Sequence, residues 1–135
     1  MDKSRISVVI PAYQPDDKVI GTVTELVKAG FPDILVVNDG SSENCAEIFN
    51  KIEKIPECTV LVHSVNKGKG AALKTAFTYF LESRTDRTCV VTADADGQHL
   101  TKDIIAVTTQ VLSVLLSKKY VNAVFKAAPF PLFTE

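Results

Sequence analysis

Four times along the chain a short apolar run gives way to polar, glycine- or proline-containing positions and then to apolar residues at helical spacing. Ile6-Ser7-Val8-Val9-Ile10 is mostly β-branched and stops at Pro11, the signature of a buried parallel strand running into a loop. Pro15, Asp16 and Asp17 then open a helix, with Pro in the first turn and acids near the positive end of the dipole. Val19, Ile20, Val23, Leu26 and Val27 mark its apolar face, and Gly30 stops it. Ile34-Leu35-Val36-Val37 predicts a second strand, Asn38 to Ser42 its loop, and Cys45, Ile48, Phe49 and Ile52 a second helix face. Thr59 to Val62 predicts a third strand, Asn66 to Gly70 its loop, and Ala72, Leu73, Ala76, Phe77, Phe80 and Leu81 a third helix face. Cys89-Val90-Val91-Thr92 predicts a fourth strand, followed by a loop over Asp94 to His99 and a helix from about Thr101 to Leu116.

Four strand–helix units in succession predict an α/β fold, Rossmann-like, with a mostly parallel sheet, right-handed crossovers and helices on both faces. In such sheets the ligand crevice lies outside the carboxyl ends of the strands, where strand order reverses. The chemically unusual residues all fall there: Pro11-Ala12-Tyr13 after strand one, Asp39-Gly40 after strand two, Asn66 to Gly70 after strand three, Asp94-Ala95-Asp96 after strand four. Residues 1–117 form this domain, and residues 118–135 lose the pattern. Tyr120 to Phe125 is suited to a fifth strand, but Pro129-Phe130-Pro131-Leu132-Phe133 has no assigned place. A sheet ending at strand four or five leaves an open parallel edge, which favours a homo-oligomer.

Composition narrows the partners. Fifteen Lys and Arg against sixteen Asp and Glu leave a net charge of -1, which lacks the electrostatic footprint of a nucleic-acid binder. Cys45, Cys58 and Cys89 are odd in number and show no C-x-x-C pairing, so they read as reduced thiols packed in the core of an intracellular protein. The polar start, Met1 to Arg5, has no signal-like apolar stretch. Ile104 to Leu116 is interrupted by Thr108, Thr109, Gln110 and Ser113 and is too short to span a bilayer. A cytoplasmic location is expected.

The candidate chemistry gathers in the loops. Asp94 and Asp96, two apart after a buried strand, can converge as hard oxygen ligands for Mg2+ or Mn2+, though acids with Gly97 also make an ordinary turn. Asp39 can accept a hydrogen bond from a base or sugar edge, or cap the next helix, a task equally open to Ser41 or Ser42. Two lysines and two glycines over Asn66 to Ala72 stand at a helix N-terminus, a setting that favours phosphate. They do not form a Walker A loop, because Gly70 stands where Ser or Thr follows the lysine. Nor do they form a dinucleotide fingerprint, which disfavours an NAD binder: Leu73 stands where the third Gly or Ala belongs. Tyr13 can stack on a base or cover the core, while His63 reads as a packed residue and His99 has no assigned role.

In order, Val8 to Tyr13, Val36 to Ser42, Asn66 to Leu73 and Thr92 to His99 resemble family 2 glycosyltransferases of the GT-A fold. The Lys67 to Leu73 and Asp94 to His99 versions are most similar to the branch of polyprenyl-phosphate (dolichyl-phosphate) sugar transferases. The resemblance runs from residue 6 to about 112. It implies that Pro11, Ala12, Tyr13 and Asp39 line a nucleoside pocket, with Asp39 accepting from the base and Lys69 near the nucleotide. Asp94 and Asp96 match the D-x-D motif, the first acid approaching ribose or metal and the second holding Mg2+ or Mn2+ against the two phosphates of a UDP- or GDP-sugar. Gln14-Pro15 and Asn38 depart from the commoner family residues while Asp39 is kept. The implied activity is glycosyl transfer to an acceptor such as a polyprenyl phosphate. The family's second half, with the acceptor site and catalytic base, has no counterpart in these residues, so a non-catalytic nucleotide-binding or interaction module is the alternative.

Overall fold

A computed structural model of the protein describes residues 3–97, 101–116 and 123–126. The elements alternate as the pattern predicts: β1 (Ile6–Ala12), α1 (Lys18–Lys28), β2 (Ile34–Asp39), α2 (Ala46–Glu53), β3 (Cys58–His63), α3 (Lys69–Ser83), β4 (Cys89–Thr92), α4 (Thr101–Leu116) and β5 (Ala123–Lys126). The strands pair in the order β3-β2-β1-β4-β5, every pairing parallel. Strand order therefore reverses between β1 and β4, and the crevice expected of such sheets falls at their carboxyl ends.

Alternation along each strand feeds two apolar layers. Ile6, Val8, Ile10 and Ala12 of β1 face α1, α2 and α4 through Val19, Val23, Leu26, Phe49, Ile52 and Ile104, all buried. Val9, Leu35, Val37 and Val90 face the other way onto Ala72 and Ala76 of α3. The small alanines let α3 approach the sheet closely, with Leu73, Phe77 and Phe80 filling in at the sides. Leu81, expected on this face, is exposed. It lies nine residues after Ala72, about two and a half turns, and so points away from the sheet.

Three strand ends run further than the apolar runs predict. β1 passes through Pro11 to Ala12, paired with Val37 and Asn38 of β2. The Val9 carbonyl points toward the β4 side, where it accepts from Ala93 N–H at 2.9 Å. Pro11 shares that side, but the β1–β4 ladder has already ended at Val9, so the missing proline N–H leaves no gap. β2 reaches Asp39 and β3 reaches His63, in direct register with each other. Pro15 precedes α1 rather than opening its first turn; the helix starts at Lys18, whose N–H donates to Asp16 Oδ1 at 2.9 Å. The fifth strand expected within residues 120–125 is placed at Ala123–Lys126 against β4. The segment Pro129 to Phe133 lies outside the described residues, as does His99. Cys45 and Cys89 are buried and Cys58 is partly buried, all three as free thiols.

Candidate functional site

Asp39 is the last residue of β2, and strand alternation puts it on the α3 side with Leu35 and Val37. It is 3% exposed, yet both carboxylate oxygens are engaged. Oδ1 meets His63 Nδ1 at 2.8 Å and accepts from Lys67 N–H at 2.9 Å; Oδ2 accepts from Gly68 N–H at 2.9 Å. Burial alone would push this carboxyl up, but the donors from Lys67, His63 and Gly68, with the charge interaction with His63, outweigh it. Its pKa lies below the ordinary 3.8. The second ring nitrogen of His63 meets Thr75 Oγ1 of α3 at 2.7 Å. Asp39 therefore caps neither neighbouring helix; it ties the end of β2 to the β3–α3 loop. Ser42, at the start of the short 3-10 turn Glu43–Cys45, makes no side-chain cap either.

Gly40 makes that tie possible. Its φ is +69°, and a Cβ there would meet the Val65 carbonyl carbon and Asn66 nitrogen at 2.2 Å. The β3–α3 loop lies directly on the glycine, so no side chain fits. On the other flank Gln14, a non-glycine residue with φ 49°, clamps the β1 loop to the β2 loop. Its N–H donates to Ser41 Oγ at 3.0 Å, and its side-chain oxygen accepts from Ser42 N–H at 2.6 Å.

Asp94, Ala95 and Asp96 follow β4 across the switch point from Tyr13. Lys69, the first residue of α3, donates from Nζ to Asp94 Oδ1 at 2.7 Å. A cavity of about 280 Å³ opens between these elements, lined by Pro11, Ala12, Tyr13, Asp39, Lys69, Ala72, Asp94, Ala95 and Asp96. All seven residues singled out in the sequence meet around this one space, joined by Ala72 and Ala95. Tyr13 stands at the rim, 55% exposed. The cavity's volume lies just below the ~300–1,000 Å³ typical of small-molecule sites. Gln14, His63 and Thr75 support the site without having been singled out for it. The one signal for His63 was its place two residues beyond Leu61 on a strand, but its partner depends on the β2–β3 register.

The donor set suits a hard cation. Asp94 and Asp96 both line the cavity, and among the described residues no group of three or more His, Cys, Asp or Glu is placed to hold a metal ion by itself. Mg2+ is commonly held by one or two carboxylates together with substrate phosphates, so two acids beside an open cavity fit an ion that shares its coordination with a ligand.

A model of the family described as "Glycosyl transferase family 2" matches residues 7–109, most of the chain. The chain belongs to this family. Among its relatives are "Uncharacterized protein MJ1222" of Methanocaldococcus jannaschii, 39% identical over 113 residues, which cover 83% of this chain and 44% of the relative. The "UDP-N-acetylglucosamine--dolichyl-phosphate N-acetylglucosaminyltransferase" of Methanococcus voltae is 30% identical over 129 residues, covering 86% of this chain and 50% of the relative. "Dolichyl-phosphate beta-glucosyltransferase ALG5C" of Trichomonas vaginalis is 32% identical over 144 residues, covering 92% and 41%. This family 2 chain thus spans half or less of the length of these curated relatives. No solved structure matches at a significant level. No helix among the described residues is long and apolar enough to cross a membrane.

Proposed function

We propose that the cavity is the donor site for a UDP- or GDP-linked sugar, and that this chain is the donor-binding half of a glycosyltransferase whose acceptor is a lipid phosphate of the polyprenyl class. The observation that carries the reading is the meeting of Asp39, Lys69, Asp94 and Asp96, from three separate strand–helix junctions, around one cavity at the switch point. The names of the relatives from Methanococcus voltae and Trichomonas vaginalis support the acceptor class.

Each residue has a part. Asp39, held ionised, is an acceptor and favours a base edge that presents an N–H: uracil and guanine do so, whereas the ring nitrogens of cytosine and adenine at the corresponding position are themselves acceptors. Its Oδ2 takes one donor, from Gly68, which leaves capacity for a second. Tyr13 offers an exposed ring face for stacking, and Pro11 and Ala12 an apolar wall. Lys69 and the first amides of α3 suit the diphosphate. Mg2+ or Mn2+ held by Asp94 and Asp96 would offset the negative charge that builds on the departing nucleoside diphosphate. In the transfer itself an acceptor phosphate oxygen bonds to the anomeric carbon as the bond to the nucleoside diphosphate breaks, and the residues named here act on the leaving-group side.

Calorimetry on the full chain tests the site: UDP or GDP should bind with Mn2+ and lose that metal dependence in Asp96→Ala. Unchanged affinity in the variant would overturn the assignment. Incubation with a radiolabelled UDP- or GDP-sugar and a polyprenyl phosphate separates a transferase from a module that only binds the donor.

A further inference from the structure

Lys69 and Asp94 are paired across the cavity in a way that bears on how a cation and a donor would enter. The Lys69 ammonium lies 2.7 Å from Asp94 Oδ1, with the lysine side chain 47% exposed and the aspartate side chain 16% exposed. A hard divalent ion of magnesium's size binds a carboxylate oxygen at about 2.1 Å, so one held by the Asp94 carboxylate would sit within a few ångströms of the ammonium on Oδ1. Two cations a few ångströms apart repel, and the smaller charge sits on the more mobile group. Lysine carries its charge on a flexible four-carbon stem, as a point charge rather than a planar fork, and so can change partner without moving the backbone.

The backbone beneath it is fixed. Gly68 N–H is tied to Asp39 Oδ2 at 2.9 Å, and Gly68 O accepts from Ala72 N–H at 3.0 Å, so the start of α3 stays in place while the side chain swings. The lysine side chain is about half exposed, so solvent borders it on the side away from Asp94. Charge balance gives the direction. Asp94, Asp96 and Lys69 together carry one net negative charge; a divalent ion makes the cluster positive by one, and the two charges of a nucleotide-sugar's diphosphate return it to its starting value. Cation alone and donor alone each upset that balance.

We infer that Lys69 is an internal counter-ion: it holds Asp94 until a divalent cation arrives, then passes to the donor's diphosphate, so that cation and donor bind as a coupled pair. This rests on the donor-site reading above, and the experiment separates the two. Mn2+ is titrated into the wild-type chain and into Lys69→Met and Lys69→Arg, without nucleotide, followed by the electron paramagnetic resonance of free Mn2+. UDP and GDP are then titrated by calorimetry at saturating Mn2+. Lys69→Met should bind Mn2+ alone about 5-fold tighter or more, and its nucleotide affinity should fall by a similar factor, which is the loss of a coupling of ordinary size. Lys69→Arg, which keeps a cation in place, should leave Mn2+ binding near the wild-type value. A general loosening of the fold would weaken both ligands, so the opposite signs mark the mechanism. Mn2+ affinity unchanged or lowered in Lys69→Met overturns the counter-ion role, and tighter Mn2+ with unaltered nucleotide affinity overturns the hand-over. If the wild type binds neither UDP nor GDP, the donor reading falls, while the Mn2+ titration still decides whether Lys69 competes for Asp94.

Discussion

β2 carries a buried aspartate at each end, and the two are treated in opposite ways. Asp33, just before the strand, is 4% exposed and satisfied by groups that lie outside the cavity lining. Ser7 Oγ donates to its Oδ2, and Arg84 Nε donates to Oδ1 at 3.0 Å, with Arg84 Nη2 reaching Thr59 Oγ1 at 3.4 Å. Asp39, at the other end, is equally buried but is held by His63 and by loop amides, and it lines a cavity. At the amino end of the sheet a fixed cation closes the site. At the carboxyl end the nearby cation, Lys69, is half in solvent and bound to a different acid. The difference teaches where this fold closes a charge off and where it sets one beside an open cavity.

The sharpest way to break the comparison is Asp33→Ala. It leaves a mostly buried guanidinium without its carboxylate, and the loss should be roughly 3 kcal/mol in urea denaturation. UDP or GDP affinity in the surviving folded protein should stay at the wild-type value; a large change would mean that the two ends are not independent. Gly40→Ala should cost roughly 1–3 kcal/mol from its positive φ alone. Because its Cβ would collide with the loop at Val65 and Asn66, it should also weaken nucleotide binding, whereas Gly68→Ala, strained but unobstructed, should do less.

A pH series sharpens the contrast further. The Asp39 pKa is lowered in the folded protein, so its contribution to stability is fully present above the ordinary value of 3.8 and is lost as the pH falls through the lower folded value. Asp39→Asn should therefore show a flatter loss of stability than the wild type on acidification from about pH 5 to about pH 2. An identical acid limb in the two proteins would contradict it. The smallest effect concerns the thiols: burial pushes Cys58 up to about 12 and Cys89 to about 11, so both should be alkylated by iodoacetamide far more slowly near pH 8 in the folded chain than after denaturation.

Much of this was legible along the chain because it depends on local pattern. The strand runs and helical stripes predicted the succession of elements, and each chemically unusual loop followed a strand. Asp39 was legible as a candidate at a strand end but not in its contacts, since its partners are 24 to 29 residues away. His63 read as packing because a lone histidine within a strand carries no sign of what lies opposite it. Gln14 was visible only as a departure from a family pattern, and its clamp on Ser41 and Ser42 appeared once two loops stood side by side. Leu81 misled because its spacing drifts away from the face that Ala72 defines.

Residue order by itself determined the elements, the loops that bear charge and the family, since periodicity, turn chemistry and motif spacing are all short-range properties. Tertiary structure alone decided that β4 lies beside β1, that His63 stands opposite Asp39 and that Lys69 reaches Asp94. Those outcomes follow from strand order and register, which are set by the burial of both sheet faces at once and so cannot be read from any one segment.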